Sequence, residues 1–314
     1  MTAILISLMD TGNESMATTQ VIAIPRNTQA LSSKLRDYCT LTKPDVNLLI
    51  LMTTSAGYYL GSYGSFRFAG LIDTLIGTLL VASGTATLNQ WMERVWDKQM
   101  RRTANRPIPS GRMRSLHALL FGVALSVGGG VYLLLTVNRL SAFLAISTLL
   151  SYLLVYTPLK RVTPLCTLLG AIPGAMPTLI GWAGSAGRID RQAWFLFAIL
   201  FLWQFPHFLA IALMYKDDYA RAGYRMLPKF DADSRFTRAE IVFFTIALIL
   251  TTMLPLVDCS LPVYLAGMFL AGAFLLYHST KLATSASTVL ARRLVHASVL
   301  YLPVVLVIIV ILKR

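Results

Sequence analysis

The stretch that decides this chain's fold and chemistry is residues 89–107, NQWMERVWDKQMRRTANRP, which lies between two long apolar runs. Asn89, Glu93 and Asp97 recur in it every four residues. On a helix this spacing stacks the three side chains on one face, about one turn apart. Three oxygen-bearing side chains at the mouth of an apolar helix are costly to place there without a function.

The side chains of this stretch suit a site for Mg²⁺ and phosphate. Carboxylate oxygens are hard ligands, and Mg²⁺ usually shares its shell with water and substrate phosphate. We expect Glu93 and Asp97 to bind Mg²⁺, with Asn89 as a neutral ligand or hydrogen-bond partner. The arginines that follow are expected to neutralise phosphate oxygens: Arg101, Arg102 and Arg106. The plainer alternative is a cytoplasmic loop whose carboxylates offset neighbouring arginines.

The composition excludes a soluble globular protein. Of the 314 residues, 56% are hydrophobic and only 13% are charged, and continuous apolar runs long enough to cross a bilayer repeat along the chain. Continuous rather than alternating runs favour helices over a barrel. We therefore predict an all-α integral membrane protein with nine transmembrane helices, roughly at residues 46–61, 68–92, 116–136, 140–157, 164–184, 193–214, 239–257, 261–278 and 294–312.

The distribution of positive charge predicts the topology. With these nine spans, 22 of the 28 lysines and arginines fall in the N-terminal tail and in the loops after even-numbered spans. The positive-inside rule then places the N-terminus in the cytoplasm and the C-terminus outside. This bias accounts for the net charge of +14, so we expect no nucleic-acid partner.

The N-terminal segment differs in composition from the rest of the chain. Residues 1–40 are polar and resemble neither a secretory signal nor an Arg-rich transit peptide, and Met16 is an alternative start. We predict a flexible cytoplasmic tail over residues 1–40 and a single transmembrane domain over residues 41–314.

A second acidic loop, at residues 215–238, begins with the adjacent pair Asp217 and Asp218. Adjacent residues on a helix point about 100° apart, so only one of them is expected to face the metal. The other would cap the helix or pair with Arg221 or Arg225. The alternative for this segment is an ordinary helix end followed by a turn at Gly223.

Two further groups have two interpretations each. Lys160 and Arg161 follow a span end, where they are either a topological anchor or part of the phosphate site. His207 lies in the proline-interrupted run WQFPHF at residues 203–208. It is either a satisfied buried histidine or a contact to substrate, such as a haem iron or propionate.

Two acidic patches with arginines on one membrane side suggest metal ions that bridge a diphosphate. The chain has no GxxxxGK phosphate loop, so nucleotide hydrolysis is not expected. A diphosphate on a lipid-soluble tail is the natural substrate of a membrane-embedded site. Stabilising the leaving diphosphate would let its allylic C–O bond ionise, while an apolar cavity excludes water from the cation.

These residues carry a resemblance to a known family. The resemblance is carried by the ladder, which we define as Asn89, Glu93 and Asp97, with the arginines that follow it, and by the runs LTKP at 41–44, YTPLKR at 156–161, GAIPGAMPTLIGW at 170–182, WQFPHF at 203–208 and YKDDYARAGYRMLP at 215–228. In these residues the chain resembles protohaem IX farnesyltransferases, a branch of the UbiA-type intramembrane prenyltransferases. The chain departs from the superfamily's pattern in both motifs. The first motif of the superfamily commonly has aspartate at the positions that Gln90 and Glu93 occupy here. The second motif often has aspartate at the position that Ala222 occupies here.

The resemblance implies a fold, a reaction and partners. It implies nine helices around a central cavity open to the cytoplasmic side. The reaction transfers farnesyl from farnesyl diphosphate to a vinyl group of haem b, with Mg²⁺ as cofactor and haem b as a substrate rather than a prosthetic group. In this chain, the matching motifs imply that Lys43 belongs to the diphosphate site together with Lys160 and Arg161. They also imply that Asp217 and Asp218 are metal ligands. A bacterial cytoplasmic membrane and contact with haem A synthase or a terminal oxidase assembly are further implications.

Two other functions remain open on the sequence. A prenyltransferase of the same kind could act on a quinone precursor or a chlorophyll-type ring. A transporter of an anionic lipid could use the arginine loops as its gate, although its broken helices would then be expected near the bilayer midplane.

Overall fold

The computed structural model describes residues 26–64, 66–231, 233–255 and 260–313. The chain forms two compact units, Met1–Arg36 and Asp37–Arg314. Residues 1–25, most of the predicted flexible tail, lie outside the described residues, and the last part of that tail is helical from Arg26. The domain boundary at residue 41 stays a prediction.

The described residues form helices and no strand, which confirms the all-α prediction. Apolar runs bury their backbone hydrogen bonds within the segment, and helices are the structure that does so in a membrane. The helices are α1 Arg26–Thr42, α2 Pro44–Gly61, α3 Phe68–Asp97, α4 Ser115–Thr136, α5 Arg139–Leu159, α6 Cys166–Ala186, α7 Arg191–Met214, α8 Lys216–Arg221, α9 Arg235–Thr252, α10 Leu261–Thr284 and α11 Thr288–Leu312.

Seven of the helices in the described residues are long and apolar enough to cross a membrane: α3, α4, α5, α6, α7, α10 and α11. The other two predicted spans correspond to α2 and α9, which have 18 residues each. Both are less apolar at their start, since α2 begins with Pro44 and Asp45 and α9 carries Arg235, Arg238 and Glu240. The count of nine spans stays a prediction.

Helices α6 and α7 lie at the centre of the bundle. Their apolar windows are 61% and 56% buried, the highest values among the seven spans. Helix α6 packs against α2, α5 and α7, and α7 packs against α9 and α11. Gly57 and Gly181 let α2 and α6 approach closely, because a Cβ atom at either position would clash with the backbone carbonyl of Thr178 or Thr54.

The ends of α3, α5 and α7 meet at one end of the bundle. Lys160, just after α5, bonds to Glu93 near the end of α3, and its carbonyl accepts from the Arg225 backbone N–H at 2.8 Å. The loops predicted to share one membrane side therefore lie together. The side of the membrane that they face, and a central cavity open to it, stay predictions.

Candidate active site

The polar ladder lies on the last turns of α3, and its three side chains are buried. Asn89, Glu93 and Asp97 have relative exposures of 1%, 6% and 0%. Asn89 donates from Nδ2 to Thr157 Oγ1 at 3.1 Å, which connects the ladder to α5. Buried polar groups need hydrogen-bond or ionic partners, so the partners of each carboxylate define the site.

The Glu93 carboxylate accepts hydrogen bonds from side chains of two segments that are distant in the sequence. Its Oε1 accepts from Lys160 Nζ at 2.9 Å and from the Tyr224 hydroxyl at 3.0 Å. Lys160 follows α5, and Tyr224 lies in the loop after α8. Since Lys160 is itself only 8% exposed, this is a buried ion pair whose partners have both lost their hydration.

A π-helical turn at Ser151–Tyr156 precedes Lys160, a feature that often marks functional sites. The Lys160 ammonium lies 4.4 Å from the ring centroid of Tyr156 and 5.9 Å from that of Tyr152. Burial disfavours the charged ammonium, but Tyr156 and the Glu93 carboxylate outweigh it and hold the pKa of Lys160 well above its usual value. Lys160 therefore supplies a permanent positive charge.

Asp97 has one partnered and one free carboxylate oxygen. Oδ2 accepts from Arg106 Nη1 at 2.8 Å, and the backbone carbonyl accepts from Thr103 Oγ1 at 2.9 Å. Oδ1 is buried and has no hydrogen-bond partner among the described residues. An unpartnered buried oxygen of this kind is uncommon and costs free energy. It is well suited to ligate a hard cation.

The two aspartates of the second loop have different surroundings. Asp218 is 8% exposed, its Oδ2 accepts the backbone N–H of Arg102 at 3.2 Å, and its Oδ1 pairs with Arg221. Asp217 is exposed. Asp218 is the one that faces the first loop, and it also makes the pair with Arg221 that was expected of the other aspartate; which of the two faces a metal ion stays a prediction.

The remaining predicted arginines are surface groups. The side chain of Arg102 is exposed and its guanidinium lies 4.9 Å from the ring of Tyr215. Arg161 is exposed and lies 4.3 Å from the ring of Trp96, and Arg101 is exposed as well. The structure thus brings some predicted phosphate-binding cations to the carboxylates and leaves others at the surface.

Lys43 precedes α2 in a strained backbone conformation, with φ 53° and ψ 67°. A non-glycine residue in this left-handed region costs free energy and is often found at functional sites. Burial and the positive charges of Arg106 and Lys160 lower the pKa of Lys43 to about 7. Lys43 therefore lies within electrostatic reach of the same cations and carboxylates.

His207 contacts α11 within the described bundle. Its Nδ1 lies 2.8 Å from Ser298 Oγ, and its ring stacks on Trp203 with 4.8 Å between centroids. Trp203 donates from Nε1 to the Ser298 carbonyl at 2.7 Å, and Gln204 donates from Nε2 to the Ala171 carbonyl at 2.9 Å. These contacts tie α7 to α6 and α11, and they give Nδ1 of His207 a hydrogen-bond partner. A haem contact at His207 stays a prediction.

Sequence reasoning missed the tyrosines of the site. Tyr224 follows Gly223, whose φ of 72° turns the chain after α8. An aromatic residue beside a turn glycine in an acidic loop is the signal that could have indicated it. Tyr152 and Tyr156 lie four residues apart before Lys160, a spacing that places both rings on one helix face.

The donor set fits Mg²⁺, although the structure does not assemble the predicted cluster. Among the described residues, no three His, Cys, Asp or Glu side chains lie together as metal ligands. The available donors are nevertheless all oxygens, and Asp97 offers an unpartnered one. Mg²⁺ commonly uses one or two carboxylates and completes its shell with water and substrate phosphates. Glu93 and Asp97 meet that requirement without a third carboxylate.

The fold and the site define a multi-pass helical membrane protein that holds acidic and basic side chains buried together at one end of its bundle. The chain belongs to the UbiA prenyltransferase family, whose sequence profile matches residues 50–306.

Curated relatives and solved structures agree with this assignment. A protohaem IX farnesyltransferase of Solibacter usitatus is 51% identical over 86% of this chain and 96% of its own length. The protein of the same name from Koribacter versatilis is 42% identical over 91% of this chain and 95% of its own length. The solved structure of a UbiA homologue from Archaeoglobus fulgidus, bound to DMAPP and Mg²⁺, shares the fold with a TM-score of 0.63 at 14% identity, covering 88% of this chain and all of that one.

Proposed function

We propose that this protein is a protohaem IX farnesyltransferase. It transfers farnesyl from farnesyl diphosphate to a vinyl group of haem b, and water adds to give the hydroxyethylfarnesyl group of haem O. The observation that carries the proposal is the buried pair Glu93 and Asp97, with Asp97 Oδ1 unpartnered and cations on either side. Such a pair suits a diphosphate brought in with Mg²⁺. The names of the relatives support haem as the acceptor.

The chain's own cations would bind the diphosphate. Arg106, Lys160 and Lys43 lie around the two carboxylates and can donate to phosphate oxygens. Glu93 and Asp97 would hold Mg²⁺, which when bound supplies Lewis-acid stabilisation of the leaving diphosphate. Asp218 and its backbone contact to Arg102 would keep the second loop closed over the first. Asp217, Arg101 and Arg161 are the members of the predicted set with the least structural support.

The reaction needs a cation protected from water until the acceptor attacks. Ionisation of the allylic C–O bond leaves its electron pair on the diphosphate, and the farnesyl cation adds to the terminal vinyl carbon of haem b. Water then adds to the resulting carbocation and loses a proton. The faces of Tyr152 and Tyr156, already within cation–π distance of Lys160, can also stabilise a carbocation.

The cellular setting is part of the proposal. We place the protein in the bacterial cytoplasmic membrane, with a transmembrane domain from residue 41, the N-terminus inside and the C-terminus outside, because of the positive-inside charge distribution. His207 is retained as a candidate haem contact, and haem A synthase or a terminal oxidase assembly as candidate partners.

The test is farnesyl transfer by purified protein in detergent. We expect haem b and farnesyl diphosphate to give haem O only when Mg²⁺ is present, with Asp97→Asn reducing the rate about 100-fold or more. Asp73→Asn is the matched control, since Asp73 lies on the same helix and bonds Tyr132 instead. Full activity of Asp97→Asn would refute the assignment of the metal ligand. Transfer to a quinone precursor or a chlorophyll-type ring but not to haem b would refute the acceptor.

A further inference from the structure

A surface cavity with basic side chains in its lining lies at the turn between α10 and α11, and no residue of the candidate active site lines it. Its volume is about 370 Å³, and its polar lining includes His278, Lys281, Thr284, Ser285 and Arg293. Arg238, in the first turn of α9, donates to the Ala283 carbonyl at 2.7 Å. The cavity is therefore at the end of the bundle where α9 begins.

Among the described residues, no carboxylate lines this cavity. No acidic residue follows Asp258 in the sequence, so neither α10 nor α11 contributes one. Among the described residues, neither Lys281 nor Arg293 forms an ion pair, whereas Arg106 and Lys160 in the candidate active site each have one. A concave surface with uncompensated cations concentrates anions.

An apolar stripe leads away from the cavity along α10. Leu270, Phe274, Tyr277 and Lys281 are spaced by four, three and four residues, which places them on one helix face. The three apolar side chains are 69%, 43% and 57% exposed. The stripe is about 16 Å long, close to the thickness of one leaflet of the hydrocarbon core, about 15 Å.

The helix that carries the stripe is the most exposed of the spans. Only 22% of the apolar window of α10 is buried, against 33% to 61% for the other six. In a membrane this face contacts lipid. Tyr277 lies between the apolar side chains and the cation, the position that aromatic residues favour at the headgroup level.

We propose that the cavity binds the phosphate of an anionic phospholipid. Lys281 and Arg293 contact the phosphate oxygens, the Thr284 and Ser285 side chains face the headgroup, and one acyl chain follows the stripe on α10. A soluble phosphate ester would use the cations but not the stripe, and a zwitterionic lipid would bring its own positive charge to the cavity. Basic pockets between membrane helices are known to recognise anionic lipids in this way.

Native mass spectrometry of the full-length protein in detergent, titrated with phosphatidylglycerol, tests the proposal. We expect Arg293→Gln and Lys281→Gln each to weaken binding about fivefold, the effect of one basic residue near an anionic headgroup. Arg292→Gln is the matched control: it is the neighbouring exposed arginine, makes the same change in charge, and does not line the cavity. Its affinity should stay within about twofold of the unmodified protein.

Three results would overturn the proposal. Equal weakening by Arg293→Gln and Arg292→Gln would show a non-specific surface charge effect. Phosphatidylcholine binding as tightly as phosphatidylglycerol would remove the anionic preference. Displacement of the lipid by millimolar inorganic phosphate, or by haem b, would assign the cavity to a free phosphate or to a porphyrin carboxylate. Retention of phosphatidylglycerol against both competitors supports the lipid.

Discussion

Removing the Lys160 ammonium should destabilise the protein more than removing the whole ion pair. In Lys160→Met the Glu93 carboxylate keeps only the Tyr224 hydroxyl as its donor. Breaking one side of a buried ion pair costs about 3–5 kcal/mol, and a retained hydrogen bond to a charged group offsets about 1.5 kcal/mol of that. Because Lys160 is only 8% and Glu93 only 6% exposed, water cannot hydrate the Glu93 carboxylate in place of the lost ammonium. We therefore expect a loss of about 1.5–3.5 kcal/mol.

Neutralising both partners should recover most of this stability. In the double variant Glu93→Gln with Lys160→Met no unpaired charge is buried, so the cost should fall to about 1 kcal/mol or less. For a chain of this size, 1 kcal/mol corresponds to a shift in Tm of about 2–4 °C. The single variant should therefore melt at least about 3 °C lower, and the double variant should recover most of that loss. Both variants should be inactive if Glu93 serves the diphosphate.

The assay is thermal unfolding in detergent, monitored by intrinsic tryptophan fluorescence. It compares the unmodified protein, the two single variants and the double variant as a double-mutant cycle. Because the pKa of Lys160 is held well above its usual value of 10.5, the stabilisation by its ammonium is fully present below pH 10.5 and is lost only as the pH rises through the raised pKa. Lys160 itself should therefore add no pH dependence to the difference between variants from about pH 6 to 9, where Lys43, whose pKa of about 7 is lowered in part by Lys160, does titrate. Additive losses across the cycle, with no recovery in the double variant, would refute the buried pair.

Three further predictions test individual residues. Asp218→Asn should lower the rate of farnesyl transfer about 100-fold, because Asp218 is buried against the first loop, whereas Asp217→Asn should change that rate less than about threefold. Steady-state rates measure both effects, and equal losses in the two variants would contradict the structure. The affinity for inorganic diphosphate with Mg²⁺ should fall as pH rises above 7, because Lys43, with a pKa of about 7, must take up a proton to bind the anion. Lys43→Arg should abolish that part of the slope in calorimetric titrations, and an unchanged slope would remove Lys43 from the site. His207→Gln, which disturbs the bond to Ser298, should lower Tm by about 2–4 °C and, if His207 contacts haem, should also raise the KM for haem; an unchanged KM would leave His207 with a structural role and remove it from the haem site.

Local pattern was enough to predict the ladder and most of the membrane spans. The ladder depends only on helical periodicity, so its shared face follows from the spacing of Asn89, Glu93 and Asp97. The apolar runs depend only on composition, and seven of them correspond to helices able to cross a bilayer. Helices α2 and α9, with 18 residues each the shortest of those that match a predicted span, carry polar and charged residues in their first turns, which is why composition does not settle their role.

The partners of the site residues could not be read from the sequence. Lys160 is 67 residues from Glu93, and Tyr224 is 131 residues from it. Asp217 and Asp218 have the same side chain and adjacent positions, so no local rule ranks them. Their difference arises because α8, which carries both, lies against the loop after α3, which buries Asp218 and leaves Asp217 exposed.

The sequence by itself determined the all-helical membrane architecture, the clustering of positive charge in alternate loops and the ladder of oxygen donors on α3. Each of these depends on periodicity or composition within a single segment. Only the tertiary structure decided that Lys160 and Tyr224 bond Glu93, that Asp97 keeps one buried oxygen without a partner in the described part of the chain, and that His207 bonds Ser298. These contacts depend on how separate helices pack, and residues so far apart in the chain meet only after the bundle has formed.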